Sequence, residues 1–251
     1  MTTRRDILLI CGGKYHDIDF ARLELLKLLA EAAWYRVRVR EDYADTDAIR
    51  RADALVTYTC EVLPDDASQE ALADFLDRGK RWFALHGTNS RLEYVKGRGW
   101  VAPNDAPRFM EMLGSQFVAH PPIQTFTVRG SKSHPLVDGI EPFQADDEIY
   151  LCRFFGEHEC LLETHYSGMA EGFEENDWRD NDRVPVMYLR DWGRGKVLYL
   201  NLGHARGHYD MEPLMEAYPD IERGSWKQPA FYELLRRGIR WAADEPARQA
   251  A

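Results

Sequence analysis

The sequence predicts an α/β protein built on a doubly wound, mostly parallel sheet flanked by helices, with an antiparallel extension. Three observations carry this reading. Short apolar runs alternate with amphipathic segments through the first hundred residues, four strand-like runs with little helix between them fill the second half, and an amphipathic segment closes the chain.

In order, "DILLIC" (6–11) reads as a buried strand, and "FARLELLKLLAEAAWY" (20–35) as a helix with apolar residues at i, i+3, i+4 and i+7. "RVRVRE" (36–41) alternates with period two, as an edge strand does. "ALVTYT" (54–59) is a strand, "PDDASQEALADFLDRG" (64–79) a helix opened by Pro64-Asp65-Asp66 and stopped by Gly79, and "RWFALH" (81–86) another strand. Helical crossovers between such strands imply parallel pairing. Next come "TFTVRG" (125–130), "CLLETHY" (160–166), "VPVMYLRDWG" (184–193) and "KVLYLNLGH" (196–204), expected as antiparallel additions to the sheet together with a small subdomain. The helix "AFYELLRRGIRWAA" (230–243) turns Phe231, Leu234, Leu235, Ile239 and Trp241 toward the core. Long loops near 171–183 and 209–228 are of a length that usually serves function.

The 251 residues are 45% apolar, enough to bury one core, so a single domain over 1–251 is expected. A net charge of -10 repels phosphate backbones and anionic lipid, which argues against nucleic acid and membrane partners. Cys11, Cys60, Cys152 and Cys160 show no CxxC spacing and sit in apolar segments, as reduced cytosolic thiols do. Arg4-Arg5 before an apolar run resembles an export signal, but the run ends after about six residues, short of the roughly 7–15 such a segment needs. No apolar stretch nears the ~20 residues of a membrane span. The expected location is cytoplasmic, and the sequence leaves a homo-oligomer open.

In open α/β sheets, ligands bind at the carboxyl ends of the strands. Those ends here are Cys11-Gly12-Gly13-Lys14-Tyr15-His16, Thr59-Cys60-Glu61, His86-Gly87-Thr88-Asn89-Ser90 and Asn201-Leu202-Gly203-His204. His86 and His204 occupy equivalent strand-end positions, and His120 precedes the stiff pair Pro121-Pro122. Three imidazoles on rigid ends with one position left open is the arrangement of a catalytic zinc, and manganese or nickel accept similar donors. The three are far apart in sequence without an HExxH-like signature, so histidines that shape loops through hydrogen bonds are the alternative. His134, His158 and His165 read as structural or exposed.

Read in sequence, "FALHGTNS", "GSQFVAHPP", "SHPLVDGIEPFQADDEIY", "YLRDWGRGKVLYLNLGHARGHYD" and "LLRRGIRWA" resemble the ThuA-like, or trehalose-utilisation, family over about residues 80–243. The resemblance implies a class I glutamine amidotransferase-like, flavodoxin-like sheet. It also implies a role in sugar catabolism, on 3-keto derivatives of trehalose or related glycosides, with a divalent metal and no nucleotide cofactor. True amidotransferases place a nucleophilic cysteine at the strand-to-helix elbow matching "ALHGTNS". Here His86 stands in that region with no cysteine in the turn, so hydrolysis of glutamine through a thioester is not expected.

In "ADDEIY" (145–150) the resemblance keeps an acidic pair followed by tyrosine, which makes Glu148 the first and Asp147 the second candidate for a general base; a solvated turn is the alternative. The catalytic candidates are therefore His86, Glu148 and Asp147, and the metal ligands His86, His120 and His204. Tyr15, His16, Asn89, Arg206, His208 and Tyr209 are candidates for holding a small sugar or glycoside, since aromatic faces stack on sugar C–H surfaces and polar tips reach hydroxyls. Trp100, Trp178 and Trp192 also fall in or beside loops. The expected activity is isomerisation, elimination or hydrolysis of a keto sugar. Its rival is a non-catalytic sugar-binding module on the same scaffold.

Overall fold

The computed structural model describes residues 4–243. The expected single domain over 1–251 also takes in 1–3 and 244–251, which lie outside the described residues. The first half runs β1 (Arg5–Gly13), α1 (Ile18–Leu29), β2 (Tyr35–Arg40), α2 (Thr46–Arg51), β3 (Ala54–Cys60), α3 (Asp66–Asp77) and β4 (Arg81–Leu85). A ribbon of β5 (Glu93–Val95) and β6 (Gly99–Val101) follows, then α4 (Pro107–Leu113), β7 (Ser115–Ala119), β8 (Gln124–Gly130), β9 (Phe143–Asp147) and β10 (Leu151–Phe154). β11 (Glu159–Thr164), β12 (Val184–Trp192), β13 (Gly195–Leu200) and α5 (Pro229–Ala242) complete the chain.

Among the described residues, nine strands form one sheet in the order β2-β1-β3-β4-β13-β12-β11-β8-β9. The first five are mutually parallel, a flavodoxin-like half, and the other four add antiparallel. The period of two along each strand sorts side chains onto two faces. Ile7, Leu9, Phe83 and Leu85 pack with Leu25 of α1 and Phe231 and Leu235 of α5. Leu8, Ile10, Trp82 and Ala84 pack with Ile49 of α2, Phe75 of α3 and Phe109 of α4. No helix among the described residues is long and apolar enough to cross a membrane.

Several elements depart from the sequence pattern. The helix expected over 20–35 spans Ile18–Leu29, because the chain must turn into the edge strand β2; the Trp34 carbonyl already accepts from Arg5 N at 3.0 Å. α2 was not expected. It supplies the crossover that parallel pairing of β2, β1 and β3 requires, and begins at Asp45, whose side chain accepts from Ala48 N at 2.9 Å. The run 196–204, expected as antiparallel, instead joins β4 in parallel as β13, and only its other edge is antiparallel, to β12. α4, β7, β9 and β10 were also unforeseen; β7 and β10 form a separate two-stranded ribbon.

Candidate functional site

The strand ends of β1, β3 and β4 share a backbone peculiarity. Tyr15, Glu61 and His86 all have positive φ, at 66°, 61° and 45°. A non-glycine residue in that region costs on the order of 1–3 kcal/mol and persists where surrounding structure holds it, most often at functional sites. Gly13 allows β1 to pass β3 so closely that a Cβ there would lie 1.9 Å from the Cys60 carbonyl oxygen. The result is that His16 and His86 turn inward at adjacent strand ends, and His204, beyond β13, turns in beside them.

These three imidazoles meet Glu148, the residue just past β9. One ligand atom from each of His16, His86, Glu148 and His204 lies within 4.8 Å of the others, and all four residues are buried. His86 Nε2 is 2.8 Å from His16 Nε2 and 3.5 Å from Glu148 Oε2. His204 Nδ1 is 3.3 Å from Glu148 Oε1. His120 reaches the same oxygen, with Nε2 at 3.7 Å, but is not among the four. Its ring lies on Phe117 and against the edge of Phe173, and its side chain is 28% exposed.

The outer nitrogens fix how the inner ones point. A carbonyl only accepts, so His86 Nδ1–H donates to the Asn201 carbonyl at 2.8 Å, His16 Nδ1–H to Lys14 at 3.2 Å and His120 Nδ1–H to Pro121 at 2.8 Å. His204 uses the opposite nitrogen, Nε2, on Glu222 Oε2 at 2.8 Å. Each neutral ring therefore aims a lone pair inward, toward the others or toward Glu148. Outer-shell acceptors that set the tautomer in this way are the usual surroundings of metal-bound histidine. His204 Nδ1 is buried and makes no well-aligned hydrogen bond, although Glu148 Oε1 lies 3.3 Å away, which suits a nitrogen able to serve as a metal ligand.

Lone pairs and a carboxylate packed this closely favour positive charge, whether from protons or from a bound cation. Burial disfavours charge on His16, yet Cys60 and Glu148 outweigh it and raise its pKa to about 9. Burial opposes protonation of His204 too, but the charge of Glu148 and the bond to Glu222 raise it to about 10. His86 is held well below the usual histidine range by burial and by the charge of His16. Burial would raise Glu148, but His204, His120 and His16 hold it well below the carboxylate range. Three nitrogens and one carboxylate oxygen also make a donor set that zinc, manganese or nickel accepts.

Asp147, one residue before Glu148, does something different. Its Oδ1 accepts from Glu148 N at 2.8 Å and His204 N at 3.1 Å, and its Oδ2 from Gly203 N at 3.0 Å and Ser225 N at 2.9 Å. With both oxygens occupied by backbone amides, it buckles the end of β9 to the segment after β13. The structure places it as a support of the cluster rather than as a free base.

The remaining candidates scatter. Tyr15 stands near Trp100, with ring centroids 6.5 Å apart. Asn89 is buried beneath the His86 turn, donating to Ser115 Oγ at 2.6 Å, while its backbone N–H bonds Tyr199 Oη at 2.9 Å. Arg206 lies behind His204, paired with Glu222 and stacked on Tyr218 at 4.7 Å. His208 and Tyr209 sit on an exposed loop, where His208 meets the Pro219 carbonyl at 3.3 Å and Tyr209 is 72% exposed. Trp192 pairs with Gly195 at the pole of the sheet opposite the cluster, and Trp178 bonds the Glu175 carbonyl. His158 stacks on Phe154 and His165 contacts Asp182.

Two residues were missed. Tyr150, fully buried, puts its hydroxyl 3.2 Å from His86 Nε2, and its position two residues past Glu148 was the available signal. Glu222, which orients His204, lies in the stretch read as loop, and nothing in the sequence marks its bridge to Arg206.

Fold and site together define a flavodoxin-like α/β protein with a buried imidazole, His86, at the end of β4. The chain belongs to the ThuA family, described as trehalose utilisation, which matches residues 6–218. Its fold is similar to that of a putative ThuA-like protein from Parabacteroides merdae, with a TM-score of 0.69 at 18% identity over 99% of this chain and 93% of that one. A second putative ThuA-like protein, from Bacteroides uniformis, gives 0.67 at 16% identity over 96% and 93%. A β-galactosidase from Rahnella sp. R3 gives 0.58 at 12% identity over 96% of this chain but only 32% of its own. No curated protein matches in sequence.

Proposed function

We propose that this protein is a sugar-catabolism enzyme acting on a keto sugar or glycoside, such as a 3-keto derivative of trehalose, by proton transfer next to a carbonyl. One observation carries the reading: imidazoles whose outer nitrogens are all engaged, with inner nitrogens gathered on one buried carboxylate. The donor set suits a divalent ion, zinc first, held by His16 Nε2, His86 Nε2, His204 Nδ1 and Glu148. Bound there, such an ion would supply Lewis acidity to the substrate carbonyl and to the negative charge that develops on it.

The protein's own groups divide the remaining work. Glu148 is engaged by the histidines on both oxygens, so the role of proton carrier passes to His120. Its Nε2 faces the cluster while its ring reaches solvent, the position from which a base takes a proton from the carbon beside a carbonyl and returns it elsewhere. Tyr150 holds a hydroxyl proton at the cluster through His86. Asp147 and Glu222 keep the ligands in place.

Metal analysis of the purified protein, with NMR assay of 3-keto trehalose and 3-keto sucrose, tests the proposal. Near-stoichiometric zinc, manganese or nickel with turnover supports it. Metal-free protein that binds sugar without converting it favours the non-catalytic module.

A further inference from the structure

We infer that Trp100, Tyr94 and Tyr15 form an aromatic platform beside the cluster that stacks the second ring of a disaccharide, an inference that rests on the sugar reading above. The three rings meet edge to face, with centroids 5.5 Å apart for Tyr94 and Trp100 and 6.5 Å for Tyr15 and Trp100. They are not core. Tyr94 is 64% exposed, and Trp100 and Tyr15 are half-buried. A solvent-facing group of large aromatics suits the C–H face of a pyranose, which offers apolar area without demanding a charged partner.

The platform is held rigidly and continues into the site. Trp100 N donates to the Gly172 carbonyl and Glu174 N to the Trp100 carbonyl, both at 2.8 Å, stitching the β5–β6 ribbon to the 172–174 loop. The approach is so close that a Cβ on Gly99, at φ 83°, would lie 2.3 Å from the Gly172 oxygen. Phe173, inside the same stitch, brings its ring centroid 5.1 Å from that of His120, whose Nε2 is 3.7 Å from Glu148. One stitched segment thus fixes both the ring at the cluster mouth and the platform beyond it. The contacts His120–Phe173 and Phe173–Trp100 run from the cluster to the platform, the path along which the two linked rings would lie.

Tyr15 adds an independent argument. Its left-handed backbone lets consecutive side chains serve two places, His16 the cluster and Tyr15 the platform. Glycine would relieve the strain but supply no ring.

Calorimetric titration of the full-length protein with trehalose and with glucose tests the inference. The expected result is at least tenfold tighter binding of trehalose. Trp100→Ala should remove that preference with bound metal unchanged, and Trp100→Phe should keep most of it. Tyr94→Ala, at an exposed position that cannot compromise folding, should weaken trehalose about threefold and leave glucose unaffected. Trehalose affinity unchanged in both alanine variants overturns the inference, and if Trp100→Ala does not fold, Tyr94→Ala alone decides. Equal affinity of the wild type for the two sugars overturns the platform and leaves the sugar reading standing. Binding of neither sugar overturns the platform, while the keto-sugar reading stands or falls with the separate assay of 3-keto trehalose.

Discussion

Asp147→Asn isolates the buckle under the cluster. In the wild type each carboxylate oxygen accepts two backbone amides, Glu148 and His204 on one, Gly203 and Ser225 on the other. Asparagine must set its NH2 against one of these pairs whichever way the amide is turned, so two buried donors lose their acceptor. A hydrogen bond to a charged group contributes about 1.5–3 kcal/mol, which gives a loss of roughly 3–6 kcal/mol. For a chain of this size that corresponds to a fall in melting temperature on the order of 10 °C. Asp146→Asn is the internal control. Strand alternation turns Asp146 to solvent, and its replacement should stay within about 0.5 kcal/mol. Urea unfolding of the two variants beside the wild type measures the difference. A loss below about 1 kcal/mol in Asp147→Asn would show that the four amides do not depend on this carboxylate, and the account of how His204 and Glu148 are held would fail.

Other outcomes are equally specific. His16→Ala, His86→Ala, His204→Ala and Glu148→Gln should each lower bound metal at least tenfold, with double variants no worse than single ones, while His120→Ala keeps its metal and loses turnover; elemental analysis and the keto-sugar assay read both. Cys11→Ser should keep its activity, because burial pushes the Cys11 thiol up to about 12 and leaves no thiolate, and the wild type should release no ammonia from glutamine. Glu163 tests pH dependence away from the site. Burial would raise its pKa, but Arg183 and Arg129 hold it below the usual carboxylate value. A depressed folded-state pKa stabilises the protein above the unfolded value of roughly 4.3 and loses that contribution as pH falls through the folded pKa. The stability difference between wild type and Glu163→Gln should therefore be flat from pH 6 to 8 and shrink below about pH 4; a difference that grows on acidification would contradict this.

The parallel half was legible because a strand covered on both faces reads as an unbroken apolar run, as in 6–11 and 54–59. Local signals were weaker elsewhere. α2 spans only Thr46–Arg51, too short to show periodicity, and β9 is half polar because one of its faces meets solvent. At the site, His86, His204 and Glu148 stood out as polar groups at strand ends. From sequence His16 reads as a substrate contact, because nothing in Gly-Gly-Lys-Tyr-His announces that Tyr15 takes a left-handed turn and swings the next side chain inward. Asp147 reads as part of an acidic, solvated run. Its burial depends on amides that arrive from 56, 57 and 78 residues away, a pairing that no local pattern contains.

That long reach has a kinetic meaning. The carboxylate at the end of β9 belongs to the antiparallel half of the sheet, and most of the amides it gathers belong to the segment that leaves the parallel half. Neither half alone can assemble the centre, so it comes into being only once the two halves of the sheet are joined. The amides of Gly203, His204 and Ser225 should accordingly exchange with solvent as one group, at the rate of the opening that separates the two halves.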